Sequence, residues 1–180
     1  MTNSTAPTTR AGQANAPQGT ERTHTLVVFV EDRPGSVDRV VGSLRRRRAN
    51  MQTLTLAPGE QPDMVRITTL VKDSEVGVEH LVEQLRKIVD VQQVLNLTAE
   101  QAVTRELALV KVKATPENLN EIIEAGHQFG AYVVDAAPEV VTLEVTGSEE
   151  KLQKFIGQLQ GYGIREVARS GRVAIARGNS

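Results

Sequence analysis

The sequence predicts an α+β protein made of two tandem ferredoxin-like units, each with the element order βαββαβ. Three observations carry this. Short β-branched runs alternate with stretches whose apolar residues recur at helical spacing. The alternation runs through twice over similar lengths of chain. A polar stretch, residues 99–105, separates the two rounds.

In the first unit, Thr25–Val30 is a β-branched and aromatic run that reads as a buried strand. Pro34 and Gly35 break it and open a helix over Gly35–Arg47, whose Val37, Val40, Val41 and Leu44 fall on one face. Met51–Ala57 is the next strand, Pro58–Pro62 a loop, and Met64–Lys72 a third strand. A helix over Val76–Ile88 carries Val78, Leu81, Val82 and Leu85 together, and Val91–Leu97 closes the unit. The second unit opens on Leu107–Ala114, where Ala108, Val110 and Val112 alternate with Lys111 and Lys113. A helix over Pro116–Phe129 follows, starting with Pro in its first turn. Strands Ala131–Ala137 and Val140–Thr146, helix Glu149–Gln160, strand Ile164–Ala168 and a short strand Val173–Ala176 complete the chain. The domains are therefore placed at 23–98 and 106–178, with a linker at 99–105. Residues 1–22 are rich in Thr, Ala, Asn and Gln, bury nothing, and read as a disordered tail rather than a targeting segment. Both faces of the first sheet carry apolar residues (Val65, Ile67 and Val71 against Met64 and Leu70), which implies an oligomer or a docked partner.

Composition removes several classes of function. The net charge is −1 and aromatics are 3% with no Trp, against a nucleic-acid binder built on basic surface and base stacking. The absence of cysteine removes disulfides, thiol catalysis and Cys-ligated zinc, and fits a cytoplasmic setting. No apolar run is long enough to span a membrane. His24, His80 and His127 lack metal-ligand spacing. No phosphate-binding glycine motif, nucleophile elbow or paired catalytic carboxylate is present, so no catalytic constellation is read.

One segment carries a binding reading. The N–H groups of Gly35, Ser36 and Val37 fall at a helix N-terminus, which favours an anion such as a carboxylate. Asp32 is placed to accept hydrogen bonds from an ammonium group. Together they make a cradle for a free amino acid, or else a plain tight connection between strand and helix. Asn50 either contributes from a neighbouring strand near a subunit edge or is the left-handed residue that ends the first helix. The run Arg45–Arg48 points in directions about 100° apart and forms no single basic face; cations there favour the helix dipole, and docking of a partner on one or two of them stays open.

HTLVVFVEDRPGSVDRVVGSL with NMQTLTLAP resembles the amino-acid-binding ACT module of the acetolactate synthase small, regulatory subunit. RELALVKVKA resembles that family's interdomain entry strand, and VVDAAPEVVTLEVTGSEEKLQKFI with GIREVARSGRVAIARG its second domain. The resemblance spans residues 23–178. It implies a subunit with no catalysis and no cofactor of its own. Its implied partner is a large catalytic subunit that uses thiamine diphosphate, magnesium and FAD to make acetohydroxy acids for branched-chain amino acids. It implies activation of that partner and feedback inhibition, usually by valine, with the effector held between ACT modules of a homodimer or larger homo-oligomer. The binding residues it implies are Asp32, Gly35, Ser36, Val37 and Asn50. Two departures stand out: Asp32 occupies a position often Asn, and Arg48-Ala49 replace a Gly-aromatic pair before Asn50. A free-standing ACT-type sensor that regulates another enzyme is the rival expectation.

Overall fold

The computed structural model describes residues 20–97 and 101–178. The elements of the first unit are β1 (Arg22–Glu31), α1 (Ser36–Arg46), β2 (Asn50–Pro58), β3 (Met64–Asp73), α2 (Glu75–Arg86) and β4 (Val91–Leu97). Its strands form an antiparallel sheet in the order β2-β3-β1-β4. The second unit repeats this with β5 (Ala102–Lys113), α3 (Leu119–His127), β6 (Tyr132–Ala137), β7 (Val140–Gly147), α4 (Glu149–Leu159), β8 (Ile164–Arg169) and β9 (Val173–Ala176), in the order β6-β7-β5-β8. Both are ferredoxin-like units, as the alternation in the sequence predicts.

Each sheet buries one face under its own helices. In the first, Leu26, Val28, Val30, Ile67 and Val71 meet Val40 and Leu44 of α1 and Val78, Leu81 and Leu85 of α2. In the second, Val110, Val112, Leu143 and Val145 meet Ile122, Leu152, Phe155 and Leu159. Ser74 and Ser148 cap α2 and α4, accepting from the Gly77 and Lys151 N–H groups at 3.1 and 3.3 Å. The third helix starts three residues later than Pro116 would allow. Asn118 Oδ1 accepts the Thr115 N–H at 2.7 Å, and this side-chain turn holds Pro116 outside α3.

The largest difference from the sequence reading lies at the junction of the units. Ala102–Arg105, read from polarity as linker, is the first third of β5, and β9 pairs with it from Ala102↔Ala176 to Arg105↔Val173. This two-stranded ribbon lies on the face of the first sheet that its helices leave open. Ala102 and Ala174 pack there on Val27 and Leu97, with Phe29, Leu95 and Ala176 around them. The apolar second face of the first sheet is thus covered, at this patch, by the chain's own second unit. β1 also begins at Arg22, paired with Asp73, so the last residue assigned to the tail is part of the sheet, and Glu21 before it lies 3.5 Å from Lys72; the tail through residue 19 lies outside the described residues.

Candidate functional site

The loop between β1 and α1 is shaped by one backbone feature. Gly35 precedes α1 with φ of 82°, a left-handed conformation that side chains disfavour, and no side chain caps the helix. The Ser36 N–H donates to the Arg33 carbonyl at 3.0 Å, closing a tight turn. Ser36 is fully buried, and its hydroxyl has no hydrogen-bond partner among the described residues. The three N–H groups at this helix start are therefore not equally available: the one on Ser36 is already used.

Asp32 is exposed, and its N–H donates to the Asp63 carbonyl at 2.7 Å, tying the loop to the β2–β3 hairpin. Asp32 and Val37 line a cleft of 630 Å³ whose other wall is the Leu56–Val65 segment. Asp32 also borders a second cleft with Phe29, Arg33, Gln92 and Gln93. Asn50 is elsewhere. It begins β2 opposite Lys72, whereas Asp32 follows the strand end where Glu31 meets Met64. The nine residues of β2 separate them, roughly 30 Å at a strand's rise per residue. Within one chain the loop residues come together and Asn50 does not join them.

Asn50 is also not the left-handed residue that ends α1. That residue is Arg48, at φ of 54°. The Arg48 N–H donates to Arg45 and the Ala49 N–H to Leu44, at 3.0 and 3.1 Å, which is the paired Schellman closure usually made with glycine.

Two residues at the site were not legible in the sequence. Arg39, one turn into α1, places its guanidinium over the glycine: a Cβ on Gly35 would lie 3.3 Å from Nη1. Its Nε donates to Asp90 Oδ2 at 2.6 Å across 51 residues of sequence. Asp90 is 4% exposed, and its carbonyl accepts the Glu31 N–H. The hydrogen bond from Arg39 holds the Asp90 carboxyl below its usual range, with the charges of Arg39 and Arg33 adding to this and burial opposing it. This ion pair fixes the start of α1 against the turn before β4. Asp90 follows an exposed Val89 and looks in the sequence like an ordinary turn acid.

A second charged group lies between the units. Glu106 of β5, 2% exposed, accepts from Arg169, while Arg172 Nε stands 3.7 Å from its other oxygen. Arg172 also pairs with Glu149 at 2.5 Å and donates to Thr25 Oγ1 of the first sheet at 3.2 Å. Arg66, stacked over Phe29 at 4.8 Å, donates to the Ala174 carbonyl. Polar contacts thus fix the ribbon where Ala102 and Ala174 bury. No group of three or more metal-ligating side chains occurs among the described residues.

Comparison with known proteins places these features in a family. Residues 26–93 match the model described as the AHAS small subunit-like ACT domain, and residues 105–178 match that of the small subunit of acetolactate synthase. The chain belongs to the acetolactate synthase small-subunit family. It is similar to the small subunit of Mycolicibacterium smegmatis, at 43% identity over 87% of this chain and 92% of the relative. The probable small subunit of Archaeoglobus fulgidus is 42% identical over 87% and 98% of the two chains. The crystal structure of the Thermotoga maritima small subunit superposes with a TM-score of 0.82 at 31% identity, covering 88% of this chain and 99% of that one. As a small-subunit relative, the chain has its charged junction within the matched second region, and its Gly35 loop within the matched ACT region.

Proposed function

We propose that this chain is the non-catalytic regulatory subunit of acetolactate synthase, which activates a large catalytic subunit and renders it sensitive to a branched-chain amino acid, valine first. The thiamine diphosphate, magnesium and FAD chemistry belongs to that partner. The observation that carries the effector reading is the Gly35 loop beside the exposed β2 edge and its 630 Å³ cleft. Asp32 supplies an acceptor for the ammonium group. The first turn of α1 and Arg39 supply donors for the carboxylate, and Val37 and Leu56 an apolar wall for the side chain.

The site is completed by a second copy of the chain. β2 is an edge strand of its sheet, and unpaired edges invite pairing with another chain. A two-fold axis beside the middle of β2 sets the strands antiparallel and brings the Asn50 end of one copy to the Asp32 end of the other. Valine that binds one arrangement of this dimer better than another shifts the population, and the catalytic partner reads that shift through their shared interface. The deciding experiment measures acetolactate formation by the large subunit with and without this chain across a valine titration. Activation with valine-dependent inhibition supports the proposal. No change in the large subunit's rate on adding a folded chain overturns it and favours a sensor of another enzyme.

A further inference from the structure

Exposed side chains without an ion pair among the described residues stand at both ends of β2, arginines before it and aspartates beyond it. At one end Arg45, Arg46, Arg47 and Arg48 are all exposed, and none forms an ion pair among the described residues. Arg33, Arg39, Arg66, Arg169 and Arg172 each hold a carboxylate, and Arg86 and Arg105 donate to backbone carbonyls. Near this end Lys72 is taken by Glu21, Arg22 stands opposite Asp73, and Glu75 and Glu79 of α2 are exposed, so it is Arg48 itself, and not a net surplus of charge, that matters here. At the other end Asp32 and Asp63 are exposed, joined by a backbone hydrogen bond, and without an ion pair among the described residues. Their neighbours are satisfied locally, Glu31 by Arg33 at 2.8 Å and Glu60 by Arg66 at 2.6 Å.

Arg48 adds a second, independent observation. It occupies the left-handed position of the α1 closure, where glycine is cheapest and a long side chain is strained. Strain held at one position points to work done by its side chain. No described residue of its own chain uses that guanidinium, and the length of β2 keeps Arg48 from reaching the aspartates of its own copy.

We propose that Arg48 of one copy pairs with the Asp32–Asp63 end of a second copy, closing the interface that surrounds the effector site. This rests on the two-fold reading above. With Leu54 beside the axis, Asn50 of one copy stands opposite Pro58 of the other. Arg48, two residues before Asn50, then meets the hairpin that runs from Gly59 to Asp63. The axis repeats the contact, so each dimer holds two such charge pairs, placed at the two ends of the joined strands. The occupant is thus a second copy of this chain, chosen by charge complementarity.

The test is a double-mutant cycle on the intact chain with Arg48→Gly and Asp63→Asn, read as the dimer dissociation constant by sedimentation. Both replacements suit left-handed backbone, which Asp63 also adopts at φ of 62°, so folding is not at stake. Each single variant should weaken the dimer several-fold at low ionic strength, on the scale of roughly 3- to 30-fold for two symmetric exposed pairs. The double variant should be no weaker than the more damaging of the two single ones, and the difference from wild type should shrink at high salt. Hydrogen exchange along Thr53–Ala57 locates the interface in the same samples. A wild-type chain that is monomeric, or dimeric with an unprotected β2, overturns the two-fold reading and this pair with it. A protected β2 with a dimer constant indifferent to Arg48→Gly, or with effects that multiply, overturns the ion pair alone. Loss of large-subunit activation by Arg48→Gly with the dimer unchanged also overturns it, and assigns Arg48 to the catalytic partner.

Discussion

Arg172 ties the two units together, and its removal gives the sharpest stability prediction. The side chain is 15% exposed and touches three groups: Glu106, Glu149 and the Thr25 hydroxyl. Glu106 is the critical neighbour, because its carboxylate is 2% exposed and its ion pairs among the described residues are with Arg169 and Arg172. Removing one partner of a buried pair costs about 3–5 kcal/mol, since the other charge is left desolvated. Here one cation, Arg169, remains, so the loss for Arg172→Ala is set at about 2–3 kcal/mol, with the Thr25 bond included. For a chain of this size that is a fall in Tm of roughly 5–10 °C. The assay is thermal and urea unfolding at one fixed protein concentration, with far-UV circular dichroism to establish that the fold persists. Arg172→Lys keeps the charge but not the fork that serves two carboxylates, and should fall between alanine and wild type. A shift below about 2 °C for Arg172→Ala would show that the junction is held by the apolar patch around Val27 and Leu97, not by the ion pairs.

Gly35→Asp should abolish inhibition by valine. On the proposed reading it places a carboxylate where the effector's would sit, and it sets a side chain at φ of 82° against Arg39; the strain alone costs about 1–2 kcal/mol, so the variant is assayed only where its unfolding curve shows a folded chain. Unaltered valine sensitivity in that folded variant would move the effector away from the loop. Asp90→Asn should destabilise the chain at neutral pH and matter less in acid. The carboxyl is held below its usual value near 3.8 by Arg39, so its contribution is present above that value and is lost as pH falls through the lower, folded one; urea midpoints of wild type and variant should begin to converge below about pH 4 and meet only below the folded value, and parallel curves down to acid would contradict the linkage. A chain ending at residue 100 loses the ribbon over Val27, Leu97, Phe29 and Leu95. It should bind a hydrophobic dye and self-associate, whereas a monodisperse fragment of undiminished Tm would mean that this patch contributes little.

The sequence by itself determined the two units and the place of the loop between β1 and α1. Both follow from local chemistry: helical and strand periods are written in adjacent residues, and Pro34-Gly35 stops a strand whatever surrounds it. Much of the site's architecture was decided only in three dimensions. Ala102–Arg105 read as linker because its partner, β9, lies about seventy residues further along the chain. Arg39 and Asp90 meet across 51 residues, and Glu106 is buried only because Arg169 and Arg172 return to it from the far end of the second unit. Asp32 and Asn50, read together from the sequence as candidate residues, stand at opposite ends of one sheet, because strand order and direction set where a strand's two ends go. Arg48 holds a conformation suited to glycine, which composition alone would not place there. Local pattern fixes what a segment becomes. Which distant charges neutralise each other, and which face the second unit covers, depends on the packing of the whole chain, because desolvated charge and apolar surface find their partners in space and not in sequence.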